Sequence, residues 1–401
     1  MRSHSLLTTS LQGVVSLGFV RPCIWLAKKK GGILKLSAFK RDLYIVTDSQ
    51  CIEQILKDEA SSFDKGGEIY QEISRALGKD GLFTVNDRRT WRELRRRMNP
   101  AFQRQNLTAM ADLTTRLWQK ELANWDTQRP VPLLAKFTEL STQMLTQYFC
   151  GSSIAAPELV PLAMPVFEGM MFKIFLPISA SRTNSYHEAI ARLDDKVFAI
   201  IRSRRAASSR GNDLLGKLLA HDPGNPDLTN QQLRDQLFTL LMAGFDSTAT
   251  VMTWACLALA DDATLRAQLS SEVSSLLGSR PPKITDLPRL PLLARFLQEV
   301  VARHPAFPLF FRHVTRESYL NGRFVVPGDH ILIAPETTGR PFGQGSRKCI
   351  GEDFATVTAM IALAMLLQRF TDWRRPLLHS GKLARYAMTN APLDGGRLRF
   401  S

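Results

Sequence analysis

The sequence predicts a mainly α-helical protein with small β-sheets. Two observations predict it. From about Cys51 to Leu277 the apolar residues mostly recur at helical spacing, and strand-like runs are confined to short stretches outside that region. An apolar fraction of 44% over 401 residues is ample for a large core and excludes a disordered chain.

The elements follow in order. Val14 to Leu26 is apolar but is broken by Arg21 and Pro22, short of the roughly 20 apolar residues that a bilayer span needs. Lys28, Lys29 and Lys30 follow it. This reads as a buried helix with a solvated charge run, not as a transmembrane anchor. No small-residue cleavage site follows, which argues against a signal peptide. Ile33–Leu36 and Leu43–Val46 read as a hairpin. Thr229 is a good N-cap for an unusually long helix that continues past Trp254. Gly244 sits in its middle, where glycine costs about 1 kcal/mol against alanine, so a packing or ligand reason is expected. Strand character returns from Phe310 to Pro335, with Asn321-Gly322 as a hairpin turn. A glycine-rich loop, a helix over about Ile350–Phe370 and a short strand at Arg397–Phe400 complete the chain.

Five cysteines are scattered without a C-x-x-C, which argues against a disulfide scaffold or a zinc site. A reducing compartment, the cytoplasm, is the expected location. The net charge of +15 suits nucleic acid or an acidic protein partner. No nucleic-acid motif accompanies it, so nucleic acid is not expected as a partner.

The chemistry concentrates in Pro341-Phe342-Gly343-Gln344-Gly345-Ser346-Arg347-Lys348-Cys349-Ile350-Gly351. Its glycines let the backbone fold tightly against a flat cofactor. Cys349 stands just before a helix, where amide N–H groups are expected to stabilise a thiolate and lower its pKa. The string F-G-x-G-x-R-x-C-x-G resembles the signature of the cytochrome P450 family without a mismatch. The resemblance extends from about Gly32 to Phe400. It implies a triangular, mainly helical fold, with haem b (iron protoporphyrin IX) between the long central helix and the cysteine-loop helix. It implies an N-terminal segment, residues 1–31, and a single haem domain, residues 32–401.

The resemblance also implies site residues. Cys349 becomes the axial iron ligand, Arg347 pairs with a haem propionate, and Phe342 and Gly351 belong to the cofactor loop. Ala243-Gly244-Phe245-Asp246-Ser247-Thr248 looks like the family's segment over the haem. A gap at Gly244 admits dioxygen, Asp246 carries protons, and Ser247 holds dioxygen by a hydrogen bond, with Thr248 as its substitute. The family usually has threonine at the Ser247 position. Trp91 and Arg95, at i and i+4, are expected to reach one propionate. Arg312 resembles another propionate contact.

Two departures stand out. The family carries Glu-x-x-Arg, but here Glu299-Val300-Val301-Ala302 places alanine where the arginine is expected, and Arg303 lies about 100° further round the helix. The long irregular segment that normally precedes the cysteine loop is reduced to Glu336-Thr337-Thr338-Gly339-Arg340.

The resemblance thus implies a monooxygenase that inserts one atom of O2 into a hydrophobic small molecule. No flavin or nicotinamide fingerprint is present, so a separate ferredoxin or flavodoxin-type donor is expected. Arg92, Arg96, Arg97 and Arg104, joined by Lys348, are the expected docking patch, with Arg88 and Arg89 as loop residues. Phe83, Met170, Met171, Phe172, Phe245 and Phe307 are expected near the substrate. The alternative is a catalytically impaired haem-thiolate protein that binds or senses a ligand.

Overall fold

The computed structural model describes residues 22–37, 41–58, 60–151, 156–175, 183–207, 211–220, 226–334, 339–376, 384–386 and 389–401. Helix α1 covers residues 22–29. It is followed by α2 (Ser49–Glu53), α3 (Gly67–Leu77), α4 (Arg88–Phe102), α5 (Thr108–Leu122), α6 (Leu133–Cys150) and α7 (Ala156–Phe175). Then come α8 (Thr183–Ala206), α9 (Leu214–Leu219), α10 (Asn230–Asp261), α11 (Ala263–Leu277), α12 (Pro291–Arg303) and α13 (Glu352–Arg369).

The long central helix is α10. Thr229 caps it through a capping box: Gln232 N–H donates to Thr229 Oγ1 at 3.2 Å, and Thr229 N–H donates to Gln232 Oε1 at 2.9 Å. Most of its residues are buried, because neighbouring helices cover it on several sides, α6 most extensively. The helix is unbroken at Gly244. A Cβ there would stand 2.8 Å from Leu145 Cδ1 on α6, so glycine is what lets the two helices approach. This packing reason replaces the expected gap. By length and hydropathy α10 also qualifies to cross a bilayer, against the expectation that no stretch can span one. Its apolar window is 83% buried inside the protein, as a core helix requires.

The larger sheet has the order β1-β2-β8-β5-β3, from Ile33–Leu36, Leu43–Val46, His330–Ile333, Phe310–Val314 and Phe63–Asp64. The expected hairpin is the antiparallel β1–β2 pair, with Ile33 opposite Val46. β2 pairs in parallel with β8, and β8 antiparallel with β5. Alternation along these strands sends Leu34, Ile45 and Leu332 into the main core, and Ile33, Tyr44, Val46 and Ile331 into a second cluster behind the sheet. Asn321-Gly322 turns β6 (Ser318–Leu320) into β7 (Arg323–Val325), both residues at positive φ. Cys23, Ile24 and Ala27 of α1 pack into the main core, while Lys28 to Lys30 are exposed. Pro335 and the remnant Glu336-Thr337-Thr338 lie outside the described residues.

Candidate active site

A cavity of about 290 Å³ lies between α10 and the cysteine loop. One wall is α10, through Thr239, Ala243, Gly244, Ser247, Thr248 and Val251. The facing wall is the loop, through Phe342, Arg347, Cys349 and Gly351. Helix α3 and the loop after it close the top with Ile73, Leu77 and Phe83.

The loop is a set of short backbone hydrogen bonds. Cys349 N–H donates to Phe342 O at 2.9 Å, and Gly343 N–H to Arg340 O at 3.0 Å. Gly345 has φ +70°, and a Cβ there would stand 2.2 Å from Leu56 O, so only glycine fits. A Cβ at Gly351 would lie 3.9 Å from Cys349 Sγ, so glycine leaves the sulfur's flank open. Among the five cysteines Cys349 alone is exposed, and its exposure is to the cavity. The thiol is nevertheless raised above its usual value, contrary to the expected lowering. Burial dominates, while the Gly351 N–H, Arg95 and Lys348 pull the other way. The helix start helps the thiolate but does not outweigh desolvation.

At one end of the cavity three cations converge: Lys65, Arg312 and Arg347. No Asp or Glu is among the described residues that line it. Burial, then Arg312 and Arg347, hold the Lys65 ammonium well below its ordinary pKa. Burial first, then Arg312, lowers Arg347 to about 10. Lys65 Nζ donates to Phe83 O at 2.6 Å, Arg312 to Phe311 O at 2.7 Å, and Arg347 to Val85 O at 2.9 Å. Such a cluster calls for an anionic ligand group. Cations at one end, an accessible sulfur on one face and apolar walls fit a thiolate-ligated haem with its two carboxylates. Lys65 was not foreseen, since a lone lysine after a short strand carries no signature.

Trp91 and Arg95 do not line the cavity as expected. Arg347 lies over the Trp91 ring, 4.6 Å from its centroid, so the indole supports that guanidinium from behind. Arg95 reaches the cysteine loop, donating to Lys348 O at 2.8 Å and to Asn99 Oδ1 at 3.0 Å, close enough for its charge to act on Cys349. It braces the cysteine loop.

On α10, Ser247 lines the cavity, but its hydroxyl donates to Ala243 O at 2.7 Å, one turn back. Asp246 does not line it. Its buried carboxylate accepts a hydrogen bond from Thr389 Oγ1, a partner 143 residues away. Of the expected apolar neighbours, Phe83 and Phe307 line the cavity. Phe245 instead stacks on Phe167 of α7, centroids 5.4 Å apart, and Met170 is buried away from the cavity. The side chains of Met171 and Phe172 lie outside the described residues.

The face of α12 that carries Glu299 is open to solvent. Glu299 pairs with Arg295 at 3.3 Å and Arg303 at 3.8 Å, with all three side chains more than half exposed. These are ordinary surface pairs.

Comparison with known proteins agrees with this geometry. The family model "Cytochrome P450" matches residues 3–340 and 335–373, and its break falls at the shortened segment. Cyclooctatin synthase of Streptomyces melanosporofaciens is 28% identical over 395 residues, 86% of this chain and 84% of that protein. Pentalenene oxygenase of Streptomyces avermitilis is 25% identical over 383 residues, again 86% and 84%. The crystal structure of the cytochrome P450DA heme domain superposes with a TM-score of 0.86 at 21% identity, covering 97% of this chain and 93% of that one. The chain therefore belongs to the cytochrome P450 family and is a haem-dependent P450 monooxygenase.

Proposed function

We propose that the chain oxidises an apolar, terpenoid-type small molecule with O2. In this reading haem b is held by Cys349, and electrons come from a separate ferredoxin or flavodoxin. The observation that carries it is the Cys349 sulfur opening into a largely apolar cavity with cations at one end. The terpenoid class is supported by relatives whose names point that way, cyclooctatin synthase and pentalenene oxygenase. Scattered, unpaired cysteines support a reducing compartment, the cytoplasm.

The residues divide the work. Thiolate-ligated haem supplies O–O cleavage when bound. Cys349 provides the thiolate, and the Gly351 N–H and Arg95 offset its charge. Lys65, Arg312 and Arg347 would hold the two propionates and neutralise their charge. The Ser247 hydroxyl can turn from Ala243 O and donate into the cavity. Asp246 holds a proton reserve beside it, with Thr389 fixing the carboxylate. Phe83, Phe307 and the other apolar walls exclude water.

The test is an optical spectrum of the reduced protein with carbon monoxide, followed by oxygen consumption with a terpene panel. A haem-thiolate spectrum with substrate-dependent consumption supports the reading. The spectrum without consumption favours a ligand-binding or sensing role instead.

The donor surface makes a separate prediction. Arg92 and Arg96 on α4, and Arg104 beyond it, are exposed, and Arg95 joins this helix to the cysteine loop. Arg88 and Arg89 are exposed in the first turn of α4, not in a loop, because Asp87 caps the helix ahead of them. Arg97 leaves the expected patch: its side chain is 7% exposed, held by Glu93 at 2.9 Å and Pro226 O at 3.0 Å. Lys348 is paired with Glu352. The remaining arginines should steer an acidic donor, with haem reduction about 10- to 1000-fold faster at low salt. Arg92→Glu/Arg96→Glu should lose most of that gain. Equal, salt-independent reduction rates in both proteins would dismiss the surface.

A further inference from the structure

Among the described residues, large apolar side chains stand exposed at five positions, and four of the five gather beside β1, at one edge of the larger sheet. Trp25, 54% exposed, and Leu26 lie on α1. Tyr319 and Phe324, 62% and 45% exposed, lie on the β6–β7 hairpin. The hairpin puts its two faces to different uses. Leu320 and Val325 turn inward and join Ile33 of β1 in the second apolar cluster. Tyr319 and Phe324, cross-strand partners with ring centroids 5.1 Å apart, face solvent. The hairpin turn meets the end of α1, where Asn321 Nδ2 donates to Gly31 O at 3.4 Å. Lys30 N–H donates to Leu26 O at 2.9 Å, so Leu26 stands one helical turn from that junction. Helix and hairpin therefore form one rim, about 20 Å from Leu26 to Tyr319 by helix and strand rise.

The rim is basic. Lys28, Lys29, Lys30 and Arg323 are exposed on it, and Lys29 Nζ lies 4.0 Å from the centroid of the Trp25 ring. Eight Lys and Arg precede Asp42 in the sequence, and no Asp or Glu does. Asp48 lies against Gly32 but is engaged as the cap of α2, accepting the Cys51 N–H at 2.8 Å. Glu317, ahead of β6, is exposed with Arg316 beside it. Tryptophan and tyrosine settle at the level of lipid headgroups, and lysines next to them are drawn to anionic lipid. Apolar residues on an ordinary soluble surface are scattered singly. Aromatic tips that protrude from a helix and a hairpin suit a fluid phase, which closes around them.

We propose that this rim docks the protein on an anionic lipid bilayer. Trp25, Leu26, Tyr319 and Phe324 enter the headgroup layer, and Lys28, Lys29, Lys30 and Arg323 are held to the lipid phosphates. Helix α1, residues 22–29, is about 12 Å long, so it lies on the bilayer and does not cross it. The inference is independent of the substrate proposed above.

The experiment floats the haem-loaded full chain with vesicles of phosphatidylcholine alone and with vesicles of phosphatidylcholine and phosphatidylglycerol in equal parts. The chain should float with the anionic vesicles at low salt. Binding should be at least about 10-fold weaker to the neutral vesicles, and equally weakened in about 1 M salt, where the Debye length is about 3 Å. Lys28→Gln/Lys29→Gln/Lys30→Gln should weaken anionic binding about 100-fold. Tyr319→Ser/Phe324→Ser should weaken it about 10-fold. The hairpin is far along the chain from α1, so its variant separates docking by the rim from attraction of the basic run alone. All five substituted side chains are exposed, so the carbon monoxide spectrum and the melting profile should not change. The inference is overturned if the anionic vesicles do not bind, if neutral vesicles bind as well, or if either variant binds like the natural chain. Light scattering of the chain alone tests the rival occupant: a dimer that the hairpin variant dissolves, without vesicle binding, would assign the rim to a second copy instead.

Discussion

Cys349→Ala is expected to abolish the thiolate-type carbon monoxide spectrum completely, and single replacements of the other four cysteines are expected to leave it intact. Cys349 is the cysteine whose sulfur opens into the cavity, whereas Cys23, Cys51, Cys150 and Cys256 are buried elsewhere. Burial pushes the Cys51 and Cys150 thiols up to about 12, and Cys256 higher still, and none of the four lines the cavity. The fold should survive the change. The cysteine's structural bond, N–H to Phe342 O, is made by its backbone, which alanine keeps. Loss of the spectrum with an unchanged melting profile is therefore the expected pair of readings. A normal thiolate spectrum from Cys349→Ala would falsify the assignment.

The cysteine loop was legible in the sequence because its chemistry is local: the glycines, Arg347 and Cys349 fall in one unbroken string. The hairpins were legible for the same reason, since alternation and Asn321-Gly322 act over a few residues. What sequence did not reveal depends on distant approach. Lys65 matters because β3, paired with β5, carries it beside Arg312 and Arg347, far along the chain. Thr389 matters because it meets Asp246 across 143 residues. Arg97 read as part of a solvated basic face, yet Glu93 one turn back and the Pro226 carbonyl draw it inward. Arg95 was placed on the right helix face by its spacing from Trp91, and what the fold adds is its bond to Lys348 O on the cysteine loop.

Asp246→Asn is expected to slow substrate-dependent turnover by about 100-fold, the lower end of what a positioned proton-transfer group contributes. Asp246 is 7% exposed, one residue from the cavity-lining Ser247, and accepts the Thr389 hydroxyl. Asparagine can still accept that hydrogen bond, so haem content and substrate affinity should hold while the proton is no longer exchangeable. Thr389 acts through Asp246 and is a positioning residue. Thr389→Val removes the hydrogen bond that holds the carboxylate in place, so kcat should fall with KM unchanged, and Thr389→Ser should restore it. The loss of rate near neutral pH should be smaller than in Asp246→Asn, because a carboxyl remains. Ser247→Ala should give a different signature: oxygen is still consumed, but more of it leaves as peroxide and less as oxidised product. Full rate and full coupling in both Asp246→Asn and Ser247→Ala, with haem loading intact, would remove α10 as the route by which protons reach the cavity.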